Sequence, residues 1–139
     1  METFSRETLD SHWVTGFADA VASFTYSRSG KQLSLYFAIK LSVVDQLLLE
    51  QIRDFFRVGK LYVVRPSITG RALTYFRVSH RHDLIRILEH FDAYPLQTSK
   101  QRIYEIWRDM VLAKQNFRSP DHTALALLAK ELSRRVDRT

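Results

Sequence analysis

The hydrophobic pattern of this chain changes period several times, and each change marks an element. From His12 to Phe24 nearly every position is apolar or small, in the run His12-Trp13-Val14-Thr15-Gly16-Phe17-Ala18-Asp19-Ala20-Val21-Ala22-Ser23-Phe24. Such a run predicts a helix buried on more than one side, from about Ser11 to Ala22, capped by Asp10 or Ser11 and switching into a strand at Ser23-Phe24. Gly16 and Ala20 lie four apart on one face and leave a shallow groove that a second helix backbone can approach.

Period two follows. Phe24 to Arg28 alternates, Ser29-Gly30-Lys31 makes a turn, and Gln32 to Ser42 returns as the second strand of a hairpin. A second helix, about Val43 to Arg57, carries Leu47, Leu48, Ile52, Phe55 and Phe56 at helical spacing, and Gly59 stops it. Lys60 to Arg65 and Ala72 to Ser79 form a second hairpin around Pro66-Ser67-Ile68-Thr69-Gly70-Arg71. Further helices are expected from about Arg81 to Phe91, Ser99 to Asn116 and Asp121 to Val136, with Pro95 barring continuation of the third. The order αββαββα with extra carboxyl-terminal helices predicts an α+β fold: one four-stranded antiparallel sheet whose core face is covered by helices.

Strand alternation assigns the two faces of that sheet. Phe24, Leu35, Phe37, Ile39, Leu61, Val63, Phe76 and Val78 are expected inside. The exposed face is expected to carry Thr25, Ser27 and Ser29, then Gln32, Ser34, Tyr36, Ala38 and Lys40, then Lys60 and Tyr62, then Arg71, Tyr75 and Arg77. Gln, Arg, Lys and Ser can meet base edges or phosphates, and a twisted ribbon of strands fits a major groove. The bland alternative is that one face of any antiparallel sheet is polar and wet.

Val14 to Ala22, in the frame Val-Thr-Gly-Phe-Ala-Asp-Ala-Val-Ala, resembles the signature helix of the LAGLIDADG homing endonucleases. Phe55-Phe56-Arg57-Val58-Gly59-Lys60-Leu61-Tyr62, Tyr75-Phe76-Arg77-Val78 with Asp83-Leu84, and Phe91-Asp92-Ala93-Tyr94-Pro95-Leu96 are similar to later landmarks of that family. The resemblance implies a fold in which two signature helices pack at the centre. It also implies an Asp or Glu at the eighth motif position that holds divalent metals for phosphodiester cleavage. Val21 occupies that position here and Ala22 the final glycine, so the motif is degenerate. Asp19, at the sixth position, projects away from the eighth by roughly two helical steps of 100°. A single motif implies a homodimer through the first helix, with Trp13, Gly16, Phe17 and Ala20 at the interface.

A valine cannot bind a hard cation, so the residues offer no metal ligand set, and Mg2+ is expected only if nuclease activity survives. Lys100 lies near a basic residue that the family uses to support catalysis, with an ordinary helix-start lysine as the alternative. Leu41 falls where many relatives carry a polar active-site residue. Asp19 and Asp45 are the nearest replacement acids, and each also reads as a structural carboxylate. His80 and His82 read as a solvated helix entry. The basic stretch Lys130, Arg134, Arg135 and Arg138 reads as a solvated face, with phosphate contact as its alternative.

Composition adds bounds. At 139 residues and 45% hydrophobic content, the chain is one domain's worth, expected to fold as a single unit over 1–139. Lys plus Arg exceed Asp plus Glu by 21 to 15, a net charge of +6, which favours a polyanionic partner, with nucleic acid ahead of membrane. The absence of cysteine excludes disulfides and thiolate metal sites. No signal peptide is visible, and the expected setting is intracellular, a bacterial cytoplasm or an organelle. Three functions follow: a non-cutting protein that grips double-stranded DNA, a working endonuclease with a replacement acid, or an RNA-binding maturase or structural subunit bound to structured RNA.

Overall fold

Helix α1, Ser11–Val21, starts where the Asp10 side chain accepts the Trp13 backbone N–H at 3.1 Å. Its end is abrupt, because Ala22 adopts extended dihedrals and leads straight into strand β1, Ala22–Ser29. The structure is a computed structural model and describes residues 8–65, 70–115 and 122–137. After β1 come β2, Gln32–Ser42, a single 3-10 turn, Val43–Asp45, and helix α2, Gln46–Phe56. Then follow β3, Lys60–Val64, β4, Leu73–Val78, and three helices: α3, Arg81–Ala93, α4, Lys100–Lys114, and α5, His122–Asp137.

The four strands make one antiparallel sheet in the order β1-β2-β4-β3, with the first hairpin pairing Phe24 with Phe37 and Ser29 with Gln32. Gly30 sits first in the two-residue turn with φ +62, a left-handed value that glycine adopts without steric cost. Helices cover one side only. Phe24, Leu33, Leu35, Phe37, Ile39, Phe76 and Val78 are buried beneath them, and Leu61 packs partly buried at the margin. The aromatic centre is dense: Phe24 meets Phe37, Phe91, Tyr104 and Trp107 with ring centroids 5.2 to 5.3 Å apart. Trp107 also donates its indole N–H to the Thr25 carbonyl of edge strand β1 at 2.9 Å. Through Tyr26, whose hydroxyl meets Ser133 Oγ at 2.7 Å, helix α5 is tied to the same strand.

Several expectations need correction. Leu47 is 59% exposed and Leu49 fills the core instead, because Leu49, Ile52 and Phe56 form the inward stripe of α2. That helix ends at Arg57, which takes φ +63, not at Gly59. Gly59 has a separate duty. Its φ is +97, and a β-carbon there would lie 2.5 Å from Phe76 Cε1, so the chain passes too close to the sheet for any side chain. Val63 pairs with buried Thr74 on the inner face yet is 43% exposed, because β3 is an edge strand and the helices do not cover its far end. Arg71 precedes β4, and Arg65, Ala72 and Ser79 also fall outside the paired strands. The expected turn residues Pro66-Ser67-Ile68-Thr69, the proposed helix limits Asn116 and Asp121, and Arg138 lie outside the described residues.

Candidate nucleic-acid interface and helix foot

The uncovered face of the sheet is built by register. Ser23 pairs with Ala38, Thr25 with Tyr36, Ser27 with Ser34 and Ser29 with Gln32, which brings the expected residues of β1 and β2 to one side. Lys40, Tyr75 and Tyr62 form a row across three strands, and Ala38, Arg77 and Lys60 form the next. The Tyr62 and Tyr75 rings stack at 5.3 Å and 5°. The Arg77 guanidinium lies 3.7 Å from the centre of the Tyr36 ring, a cation–π contact that fixes its charge on the surface. Of the expected set only Arg71 leaves the strands. Ser23 also belongs to the face, because β1 begins at Ala22, ahead of the alternation expected from Phe24.

Charge gives this face its character. The face carries Lys40, Lys60 and Arg77, Arg28 has the opposite phase beside Leu33, and the four strands contain not one Asp or Glu. At one end the face opens into a concavity of about 540 Å3, lined by Lys60, Tyr62, Arg77, His80 and Arg81 among others. Arg81 extends the basic surface beyond the strands, and Asp83 also lines the concavity. Such a face can hold phosphates and stack or hydrogen-bond bases.

Helix α1 presents two unlike sides. Val14, Thr15 and Ala18 are buried in the domain. Gly16 and Ala20 are exposed, Trp13 is 45% and Val21 37% exposed, and Trp13 stacks on half-buried Phe17 at 5.1 Å. A β-carbon at Gly16 would meet nothing within 4 Å. The helix is thus buried on one side within the chain, and the small-residue groove with its aromatic rim lies on the other.

The buried side is anchored by a polar contact. Thr15 donates its hydroxyl to the Tyr94 carbonyl at 2.9 Å, leaving its oxygen to accept the N–H of His90 Nε2 at 3.0 Å. Burial, helped by the nearby His12 charge, pushes the His90 pKa down to about 4, so the ring is neutral in the fold. Unfolded, it takes a proton near pH 6.5. Between those values the unfolded chain binds more protons. The stability from keeping this ring neutral is therefore complete above 6.5 and lost as pH falls toward 4. The difference in unfolding free energy between wild type and His90→Asn, measured in urea, is expected to shrink by about 3 kcal/mol across that window. A constant difference would contradict the neutral-ring assignment.

At the foot of α1 the donors are few. Val21 contributes hydrocarbon. The Asp19 carboxylate accepts the Gln97 N–H at 2.7 Å, the Thr98 N–H at 3.2 Å and the Thr98 hydroxyl, pinning the α3–α4 loop to α1. Lys100, first residue of α4, donates from Nζ to the Ala22 carbonyl at 2.7 Å and the Ala18 carbonyl at 3.4 Å. Burial lowers its pKa and the Asp19 charge raises it. A hard divalent cation needs several oxygen ligands, and the oxygens at this foot are already engaged by the chain's own donors. The residues here do not fit a metal. Among the described residues, no group of three or more His, Asp or Glu side chains could hold one, and His80 and His82 lie 5.8 Å apart as a pair alone. Asp45 is exposed in the 3-10 turn and Leu41 packs partly buried against the core. On α5, Arg134 and Arg135 both pair with Glu131 at 2.5 and 2.7 Å, while Lys130 is exposed.

Residues 14–111 match the family described as LAGLIDADG endonuclease. An uncharacterized 50.9 kDa protein in ND4 intron 1 of Podospora anserina is 34% identical over 123 residues, covering 82% of this chain and 26% of that protein. Probable intron-encoded endonuclease 3 of Neurospora crassa is 30% identical over 106 residues, covering 71% of this chain and 19% of its own length. This chain thus spans about a quarter or less of these curated relatives. Among solved structures, the LAGLIDADG meganuclease I-CpaMI bound to uncleaved DNA superposes with a TM-score of 0.74 at 28% identity, over 86% of this chain and 41% of that one. The homing endonuclease I-TnaI shares the fold with a TM-score of 0.76 at 21% identity, over 94% of this chain and 97% of its own. The α+β sheet, the signature helix at Val14 to Ala22 and the match along residues 14–111 agree, and the chain belongs to the LAGLIDADG endonuclease family.

Proposed function

We propose that this chain binds double-stranded DNA with the uncovered face of its sheet, as one half of a two-fold assembly, and does not cut it. The observation that carries the reading is an uncovered sheet face bearing Lys40, Lys60 and Arg77, on strands without one Asp or Glu. Phosphate neutralisation by Lys and Arg supplies most sequence-independent affinity for DNA, and strands without an acid keep that attraction unopposed across the sheet itself. The DNA-bound state of I-CpaMI, of which this chain spans 41%, supports both the partner and the idea that a second half is required. The exposed side of α1, with Gly16 and Ala20 between Trp13, Phe17 and Val21, is the surface that would receive that half, a second copy of this chain. Loss of cutting rests on Val21 and on the committed oxygens of Asp19, Ala18 and Ala22. The two fungal relatives are named for introns, and we place this chain in the same intron-encoded, intracellular setting, with residues 1–139 forming one domain around the shared core.

The test is selection of a duplex from a randomised pool, followed by gel retardation. The expected result is a bound site of pseudo-palindromic form whose affinity falls steeply with salt. Preferential retention of structured RNA over duplex DNA would replace DNA with RNA as the partner.

A further inference from the structure

We propose that the Lys100 ammonium takes the place of a divalent cation at the foot of α1 and grips a backbone phosphate of the duplex without metal. The inference rests on the reading of this chain as a duplex-DNA binder. It starts from the disagreement between the family's metal chemistry and the donors present. Where a carboxylate would supply negative charge, Val21 supplies none, so the foot has lost its means of holding a free cation. A cation is there nonetheless, and it is covalently part of the chain.

The geometry sets its place. The Ala18 carbonyl lies in the last turn of helix α1, where the helix dipole concentrates partial negative charge and a positive group is favoured, and the Ala22 carbonyl follows at the first residue of β1. Lys100 Nζ reaches both, at 3.4 and 2.7 Å, from the first turn of a different helix. Asp19 holds the loop ahead of Lys100 through the Gln97 and Thr98 N–H groups, which positions the start of α4 against α1. Its carboxylate is thereby satisfied by that loop and forms no ion pair with Lys100 among the described contacts. An ammonium carries three N–H donors. One is used on α1 and one on the start of β1, and one remains for an outside acceptor at this foot, where Val21 is 37% exposed.

The consequence for function is specific. A fixed single charge with an N–H donor can bind a phosphate oxygen. It cannot activate a water molecule as a metal ion does, so binding survives where cleavage does not. Lys100 is a binding residue in this account.

The experiment is fluorescence anisotropy with a labelled mixed-sequence duplex, using the full chain, in EDTA and in Mg2+ at matched ionic strength. Wild type is expected to bind in EDTA, and Mg2+ is expected to leave its affinity unchanged or weaken it by competing for phosphates. Lys100→Met is expected to reduce the slope of log affinity against log salt by about 0.9 for each copy engaged, with no rescue by Mg2+, and Lys100→Arg to restore the slope. A purely structural role would lower the melting temperature of Lys100→Met while leaving the slope at its wild-type value, and that result overturns the proposal. Saturable tightening of wild-type binding by Mg2+ would overturn it as well. A wild-type chain that binds no duplex at all would remove the DNA-binding reading itself and this proposal with it.

Discussion

Gly16→Arg is expected to convert the proposed dimer into a folded monomer. In a single chain the substitution is harmless, because a β-carbon at Gly16 meets nothing within 4 Å and Arg is a better helix former than Gly by up to about 1 kcal/mol. At a helix pair the same side chain drives a long cation between two backbones that approach closely only because Gly16 and Ala20 are small. An unpaired charge buried at such a contact costs about 3–5 kcal/mol, which weakens association about a hundredfold to several thousandfold. Sedimentation equilibrium reads the assembly and circular dichroism the fold. Dimer affinity within threefold of wild type would place the interface elsewhere on the chain.

Phe37→Ala is expected to have the largest effect on stability. Phe37 is 0% exposed and its ring lies within 6.2 Å, centroid to centroid, of Phe24, Phe56, Phe76 and Phe91. Those rings come from β1, α2, β4 and α3, so a cavity at Phe37 loosens both central strands and two covering helices at once. Truncation of a buried Phe costs about 3–5 kcal/mol against a total of roughly 5–15 for a domain. The melting temperature should fall by about 10–20 °C. Protein concentration must be matched, since assembly adds to apparent stability. A fall of only one or two degrees would show that the sheet and helices meet through other contacts.

The sequence was most informative wherever period alone decides the outcome. Strand β2 alternates without a break from Gln32 to Ser42, and a one-residue slip would turn Leu33, Leu35, Phe37 and Ile39 into water, so its faces followed directly. The groove on α1 was equally legible, because Gly16 and Ala20 share a helical face. Legibility failed in three physical situations. Three consecutive leucines, Leu47 to Leu49, permit more than one helical phase, and only packing against the sheet selected Leu49. Edge effects cannot be read from alternation: Val63 has the inward phase but lacks a helix above it. Finally, the groups that define the foot of α1 are remote from it in sequence. Lys100 is 78 residues from Ala22, Asp19 is 79 from Thr98, and the acceptors that Lys100 uses are backbone carbonyls, which no residue letter encodes. The loss of the acid at Val21 and the candidate Lys100 were visible in the sequence; the two carbonyls that Lys100 reaches required the fold.

Strand scission on the selected duplex, in Mg2+ and in Mn2+, tests the central claim most directly. Wild type, Asp19→Asn and the double variant Val21→Glu with Ala22→Gly are compared at protein concentrations that saturate binding. A retained assembly lacking only its cation-binding carboxylate predicts intact strands with wild type and Asp19→Asn, and metal-dependent cleavage that appears with the double variant alone. Cleavage by the wild-type chain that disappears in Asp19→Asn would contradict it, since Asp19 would then be the metal-binding acid and the chain a working endonuclease.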